Sequence, residues 1–151
     1  MVSRRRVHLL DVNVVLAIID PAHQHHSLAF EWFRAESRAG FATCPLVQNG
    51  VLRIASNPAY PNRPGDVDDV RRALRRLCDQ PGHRFWGDSL SLLDALPDPS
   101  GLVSGDVTDA YLALLASSMK GVLLTFDRRI PIDRLGLPST VVRVLGLSGT
   151  D

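Results

Sequence analysis

Cysteine, lysine and glutamate are nearly missing from this chain. Its two cysteines, Cys44 and Cys78, form no CxxC pair and no zinc-ligand spacing, which excludes a disulfide framework and a zinc ribbon. Each reads as a small buried hydrophobe. Lys120 is the single lysine among 17 basic residues, and Glu31 and Glu36 are the only glutamates among 16 acids. No apolar run approaches the roughly 20 residues of a membrane-spanning helix. The start is basic, but Asp11 and Asn13 interrupt the apolar stretch behind it. That is a poor secretory signal, and we expect a cytoplasmic protein with no membrane partner. The net charge of +1 demands no nucleic acid, although a surface whose cations are guanidinium groups suits phosphate.

What is present is a chain of 151 residues, 45% hydrophobic, with no internal repeat. That length forms one ordinary domain, expected over 1–151, and buries roughly 70% of its unfolded surface without staples. Apolar patterning places short strands at 7–10, 41–43, 84–86, 122–125 and 141–145. Helices are expected at 13–19, at 27–38, from Pro45 to the break at Asn57-Pro58, at 66–78 and at 106–119. Segment 89–96 is a short helix or an ambiguous apolar run, and Gly121 is expected to close the last helix as its C′ glycine. Alternating strands and helices predict an α/β three-layer sandwich with a mostly parallel central sheet flanked by helices.

In such sheets ligands gather beyond the carboxyl ends of the strands. Asp11 follows the first strand, Asp127 follows the fourth, and Asp109 lies in the first turn of the helix between the third and fourth. Carboxylates brought together repel one another unless a cation neutralises them, and a hard divalent ion such as Mg²⁺ or Mn²⁺ is the natural partner. Asp106-Val-Thr-Asp109 also has the spacing of a capping box, so Asp106 reads as a cap or as a peripheral ligand. Asn13 suits a helix N-cap, or a contact to the Asp11 carboxylate; Thr125 is either an ordinary strand threonine or a hydrogen-bond donor to the cluster. Arg128 and Arg129, directly after Asp127, are placed to meet phosphates, whereas Arg71, Arg72, Arg75 and Arg76 read first as a solvated ridge. The His23, His25 and His26 tract reads as a polar turn, and Phe30, Trp32 and Phe33 as core or dimer interface.

Four blocks resemble the PIN-domain ribonucleases, specifically the VapC toxins of type II toxin–antitoxin systems. They are Leu9-Leu10-Asp11-Val12-Asn13-Val14-Val15-Leu16; Thr43 to Arg53 with Ser56-Asn57-Pro58; Val107 to Leu112, continuing through Ala116; and Leu124-Thr125-Phe126-Asp127. The resemblance implies Mg²⁺- or Mn²⁺-dependent cleavage of RNA (tRNA, rRNA or mRNA) by water attack on a backbone phosphate. It assigns Asp11, Asp109 and Asp127 as catalytic and metal-holding acids, with Asn13, Gln48, Thr125 and Asp106 in support. It also implies a homodimer and a VapB-like antitoxin that blocks the site and alone touches DNA. The family's second acid is usually a Glu; Gln48 stands there, keeping a carbonyl oxygen and losing a charge. A weakened domain that only binds RNA or protein is therefore the alternative. A covalent aspartyl phosphotransferase would need a second Asp two residues after Asp11, where Asn13 stands.

Overall fold

Residues 5–146 are described by the computed structural model; positions 1–4 and 147–151 of the expected domain, with the first part of the basic start, lie outside the described residues. In chain order the elements are β1 (His8–Leu10), α1 (Val12–Ile19), α2 (His26–Glu36), β2 (Phe41–Thr43), α3 (Pro45–Ala55), α4 (Val67–Cys78), β3 (His83–Phe85), α5 (Leu92–Ala95), α6 (Val107–Ser118), β4 (Val122–Thr125) and β5 (Val142–Val144). Short 3₁₀ turns cover Ser37–Ala39, Ser104–Asp106, Ile132–Leu135 and Ser139–Val141. The ambiguous segment resolves into one helical turn, capped by the Ser91 hydroxyl, which accepts from the Leu93 N–H at 3.2 Å.

The sheet order is β3-β2-β1-β4-β5, and every pair is parallel. Parallel neighbours need crossovers; α-helices supply them as far as β4, and the segment with the last two 3₁₀ turns carries the chain from β4 to β5. β1 and β4 lie at the centre with both faces covered, so they read as continuous apolar runs rather than alternating ones. Leu9, Leu10, Leu123 and Leu124 are accordingly fully buried. On one face Trp32 of α2 meets His8 edge-on, ring centroids 5.2 Å apart, and Phe33 meets Phe41 in the same way at 5.2 Å. Of the aromatic trio on α2, Trp32 is core, whereas Phe30 is exposed. α3 and α4 reach that same face through Gln48 and Cys78, which both contact Thr43. α6 packs across β1 and β4. The expected three layers are present.

Local chemistry explains most of the boundaries. Asp66 caps α4 in a reciprocal capping box with Asp69, at 2.9 and 3.0 Å. Pro45 occupies the first turn of α3, where its missing N–H costs nothing. α2 begins at His26, behind a His25 cap that makes no side-chain hydrogen bond.

The end of α6 differs from expectation. Lys120, with φ +58°, takes the left-handed C′ position, and Gly121 follows it. The Lys120 N–H donates to the Ser117 carbonyl at 3.0 Å and the Gly121 N–H to the Ala116 carbonyl at 2.8 Å, which is a Schellman closure. Gly121 is needed for space. A Cβ there would stand 2.6 Å from the Val7 carbonyl oxygen and 2.7 Å from the Trp86 ring. We expect Lys120→Gly to stabilise the protein by about 1 kcal/mol by removing a left-handed side-chain conformation. Gly121→Ala should destabilise it, and urea unfolding of the two variants reads both signs.

Candidate active site

The strand order reverses between β1 and β4. The chain leaves β1 toward β2 and β3, then returns through α6 to pair β4 on the other side of β1. The crevice beyond the carboxyl ends of these two strands is the topological switch point, where side chains from separate connections converge. Asp11 leaves β1 there, Asp127 follows β4, and α6 brings Asp109 in its first turn.

Asp11 is buried and is itself the N-cap of α1. Its Oδ1 accepts from the Val12 N–H at 2.7 Å, and its Oδ2 accepts from the Thr125 hydroxyl at 2.7 Å. Thr125, fully buried at the end of β4, also accepts the Asp127 N–H at 3.0 Å. One hydroxyl therefore ties the first acid to the backbone of the last. Asp127 Oδ1 accepts from the Arg129 N–H at 2.8 Å, which folds the chain after β4 into a tight turn.

Charge accumulates here without compensation. Burial raises the Asp11 pKa, the Thr125 and Val12 hydrogen bonds oppose that rise, and Asp127 adds to it. Asp109 is pushed up to about 7 by burial, by the adjoining Asp127 carboxyl, and by the charges of Asp11 and Asp106. The ion pairs among the described residues are those of Asp68 with Arg71 and Arg72, and they involve none of these acids. An all-oxygen, uncompensated donor set fits a hard divalent cation. It is an open set: no three His, Cys, Asp or Glu side chains among the described residues are already gathered around one point. Water and phosphate oxygens completing the shell would be ordinary for Mg²⁺.

The other expected residues divide. The N-cap of α1 is Asp11, so Asn13 falls inside the helix on its exposed side. Asp106 does not box with Asp109. Its Oδ2 accepts the Val103 N–H at 3.0 Å, because a 3₁₀ turn precedes α6 and draws the carboxylate backward. Gln48 donates from Nε2 to the Thr43 hydroxyl at 3.0 Å, and Thr43 in turn bonds His83 Nε2 at 2.8 Å. That linkage has no local sequence signal, since His83 is 40 residues from Thr43. Arg128 and Arg129 are exposed beside Asp127. His25 stacks on Phe126, centroids 4.8 Å apart.

The PIN domain family matches residues 8–136. The chain belongs to the PIN-domain family. Within it, the curated relatives of this PIN domain are VapC proteins of Mycobacterium tuberculosis. Ribonuclease VapC38 is 39% identical over 139 residues, 91% of this chain and 96% of the relative. Ribonuclease VapC44 is 40% identical over 126 residues, 82% and 88%. Among solved structures, VapBC2 of Rickettsia felis, bound to a DNA fragment from its promoter, superposes with TM-score 0.64 at 13% identity, covering 92% of this chain and 98% of that one. A Pyrobaculum aerophilum protein gives TM-score 0.58 at 20% identity, covering 91% and 83%. At those identities the superpositions speak for the fold alone.

Two predictions follow from the acid cluster. Asp109 binds more protons folded than unfolded between its ordinary value of 3.8 and about 7, so the metal-free fold should lose stability as pH rises through that window. Thermal melting from pH 4.5 to 8 should show this decline; Asp109→Asn should flatten it, and Mg²⁺ should raise the melting temperature more at pH 8 than at pH 5. Thr125→Val should cost about 1–3 kcal/mol in urea unfolding, because it strips a hydrogen bond from a buried carboxylate. Thr125→Ser, which keeps the donor, should lose much less.

Proposed function

We propose that this protein is a VapC-type endoribonuclease, the toxin of a toxin–antitoxin pair, working as one domain over 1–151. The observation that carries this reading is the convergence of three uncompensated carboxylates on the β1/β4 switch point. The Ribonuclease VapC names of relatives near 40% identity support it, and VapBC2 shares the fold.

Asp11, Asp109 and Asp127 would hold Mg²⁺ or Mn²⁺, which supplies charge stabilisation at a scissile phosphate and acidifies water. The chain's own work is positioning. The Val12 N–H and the Thr125 hydroxyl fix both oxygens of Asp11, so its remaining lone pairs point in set directions. Thr125 and the Arg129 N–H set the place of Asp127. Arg128 and Arg129 are free at the rim to draw in the RNA backbone. Asp106 contributes negative potential behind Asp109. Gln48 is drawn to Thr43 and brings no charge to the acids, so a cation would rest on Asp11, Asp109 and Asp127. A homodimer and a VapB-like antitoxin that carries the DNA contacts complete the proposal.

The test is incubation of the purified, antitoxin-free protein with a tRNA and rRNA pool. Discrete products are expected with Mg²⁺ or Mn²⁺, none with EDTA. Asp11→Asn should lose roughly a hundred-fold or more, as removal of several kcal/mol of transition-state stabilisation requires. A folded protein that cleaves nothing with either metal would overturn the nuclease and leave a binding module.

A further inference from the structure

A second site lies outside the acid cluster. A cavity of about 460 Å³ opens between α3, α4 and the edge strand β3, within the size range of small-ligand sites. Gln48, Leu52, Arg71, Arg75, His83 and Phe85 line it. None of them belongs to the acid triad. We propose that this cavity takes one unstacked nucleotide of a single-stranded RNA, its base against Phe85, its phosphate on Arg75 and Arg71, and its base edge on Gln48. The inference rests on the ribonuclease reading and adds to it a residue-level subsite for the substrate.

Three observations carry it. First, Phe85 is 59% exposed on the outermost strand, where no further strand covers it. An aromatic ring left in solvent beside a cavity is a stacking surface for a splayed base, and such stacking is a main source of single-strand affinity.

Second, cationic charge is available. Arg75 has no ion pair among the described residues, and Arg71 shares the single carboxylate of Asp68 with Arg72. Asp79 also lines the cavity, one helical turn beyond Arg75. It repels a phosphate from the far end of α4 and leaves the arginines as the phosphate side.

Third, the hydrogen-bonding group is preset. Thr43 is fully buried and bonded to His83, and it takes the Gln48 Nε2–H. With Nε2 engaged in this way, Oε1 is an acceptor without a donor among the hydrogen bonds of the described residues. A base offers N–H donors on its pairing edge to such an oxygen.

The register sets the reach. Phe85 pairs with Thr43 on β2, and β2 pairs with β1, whose end carries Asp11. Two strand spacings, about 10 Å, separate the Phe85 strand from that of Asp11. A strand cut at the acids can therefore lay a nearby nucleotide in this cavity. Of the α4 ridge, Arg71 and Arg75 line this cavity as the phosphate side, and Arg72 and Arg76 lie outside its lining.

The experiment measures binding of a labelled eight-nucleotide single-stranded RNA by fluorescence anisotropy across a salt series. It uses the full chain with Asp109→Asn, so that nothing is cut. Phe85→Ala should weaken binding about ten-fold, as loss of one stacked base requires, and Phe85→Trp should restore it. Arg75→Gln should weaken binding and lower the salt slope by about one. Both sites are exposed, so unchanged melting curves will verify folding. Affinity and slope unchanged in Phe85→Ala and Arg75→Gln would overturn the proposal, including the case in which either variant instead alters oligomeric state or antitoxin binding. The two readings fail separately. If wild type does not cleave RNA, the ribonuclease falls; if it cleaves and these variants bind as before, only the subsite falls.

Discussion

The hydroxyl of Thr125 bonds two acids that are 114 and 2 residues away from it, donating to the Asp11 carboxylate and accepting the Asp127 N–H. That pair of bonds exists because β1 and β4 are parallel neighbours in register, Leu10 beside Leu124, with the ladder continued by the Asp11 N–H donating to the Leu124 carbonyl at 2.9 Å. A slip of one residue would turn every side chain of β4 to the other face and carry Thr125 away from Asp11. The register is held in turn by the fully buried leucines of both strands. The core therefore specifies the site's geometry, and the two are one construction.

The same arrangement stores electrostatic cost. Acids at a switch point, one of them pushed up to about 7, destabilise the metal-free fold at neutral pH. Such a cost persists where a ligand relieves it, and an oxygen-rich set with no cation of its own is relieved by a divalent ion. The remaining charge of the molecule is organised apart from this. Arg71 and Arg72 are drawn to Asp68 on α4, while Arg128 and Arg129 stay exposed beside Asp127.

Much of this was legible in the linear chain. The strand at Phe41–Thr43 and that at Val122–Thr125 match their apolar patterns residue for residue, because fully buried strands carry unbroken hydrophobic runs. The three acids were legible as strand-end or helix-start residues. The helix ends were less so. Lys120 rather than Gly121 bends left-handed, since the constraint on Gly121 comes from Val7 and Trp86, which are distant in sequence. Asp106 turned back to Val103 because a 3₁₀ turn, too short to show a period, precedes the helix.

Periodicity, composition and the spacing of Asp11, Asp109 and Asp127 determined the layer order and which acids stand at strand ends, because local propensity and burial act on neighbours along the chain. The tertiary structure alone decided that Thr125 bridges two of those acids, that Gln48 is drawn to Thr43 and His83, and that Phe85 stays in solvent beside Arg75. Those facts depend on which strand lies at the edge and which pair at the centre. Strand order is set by the packing of whole elements against one another, and no window of sequence contains it.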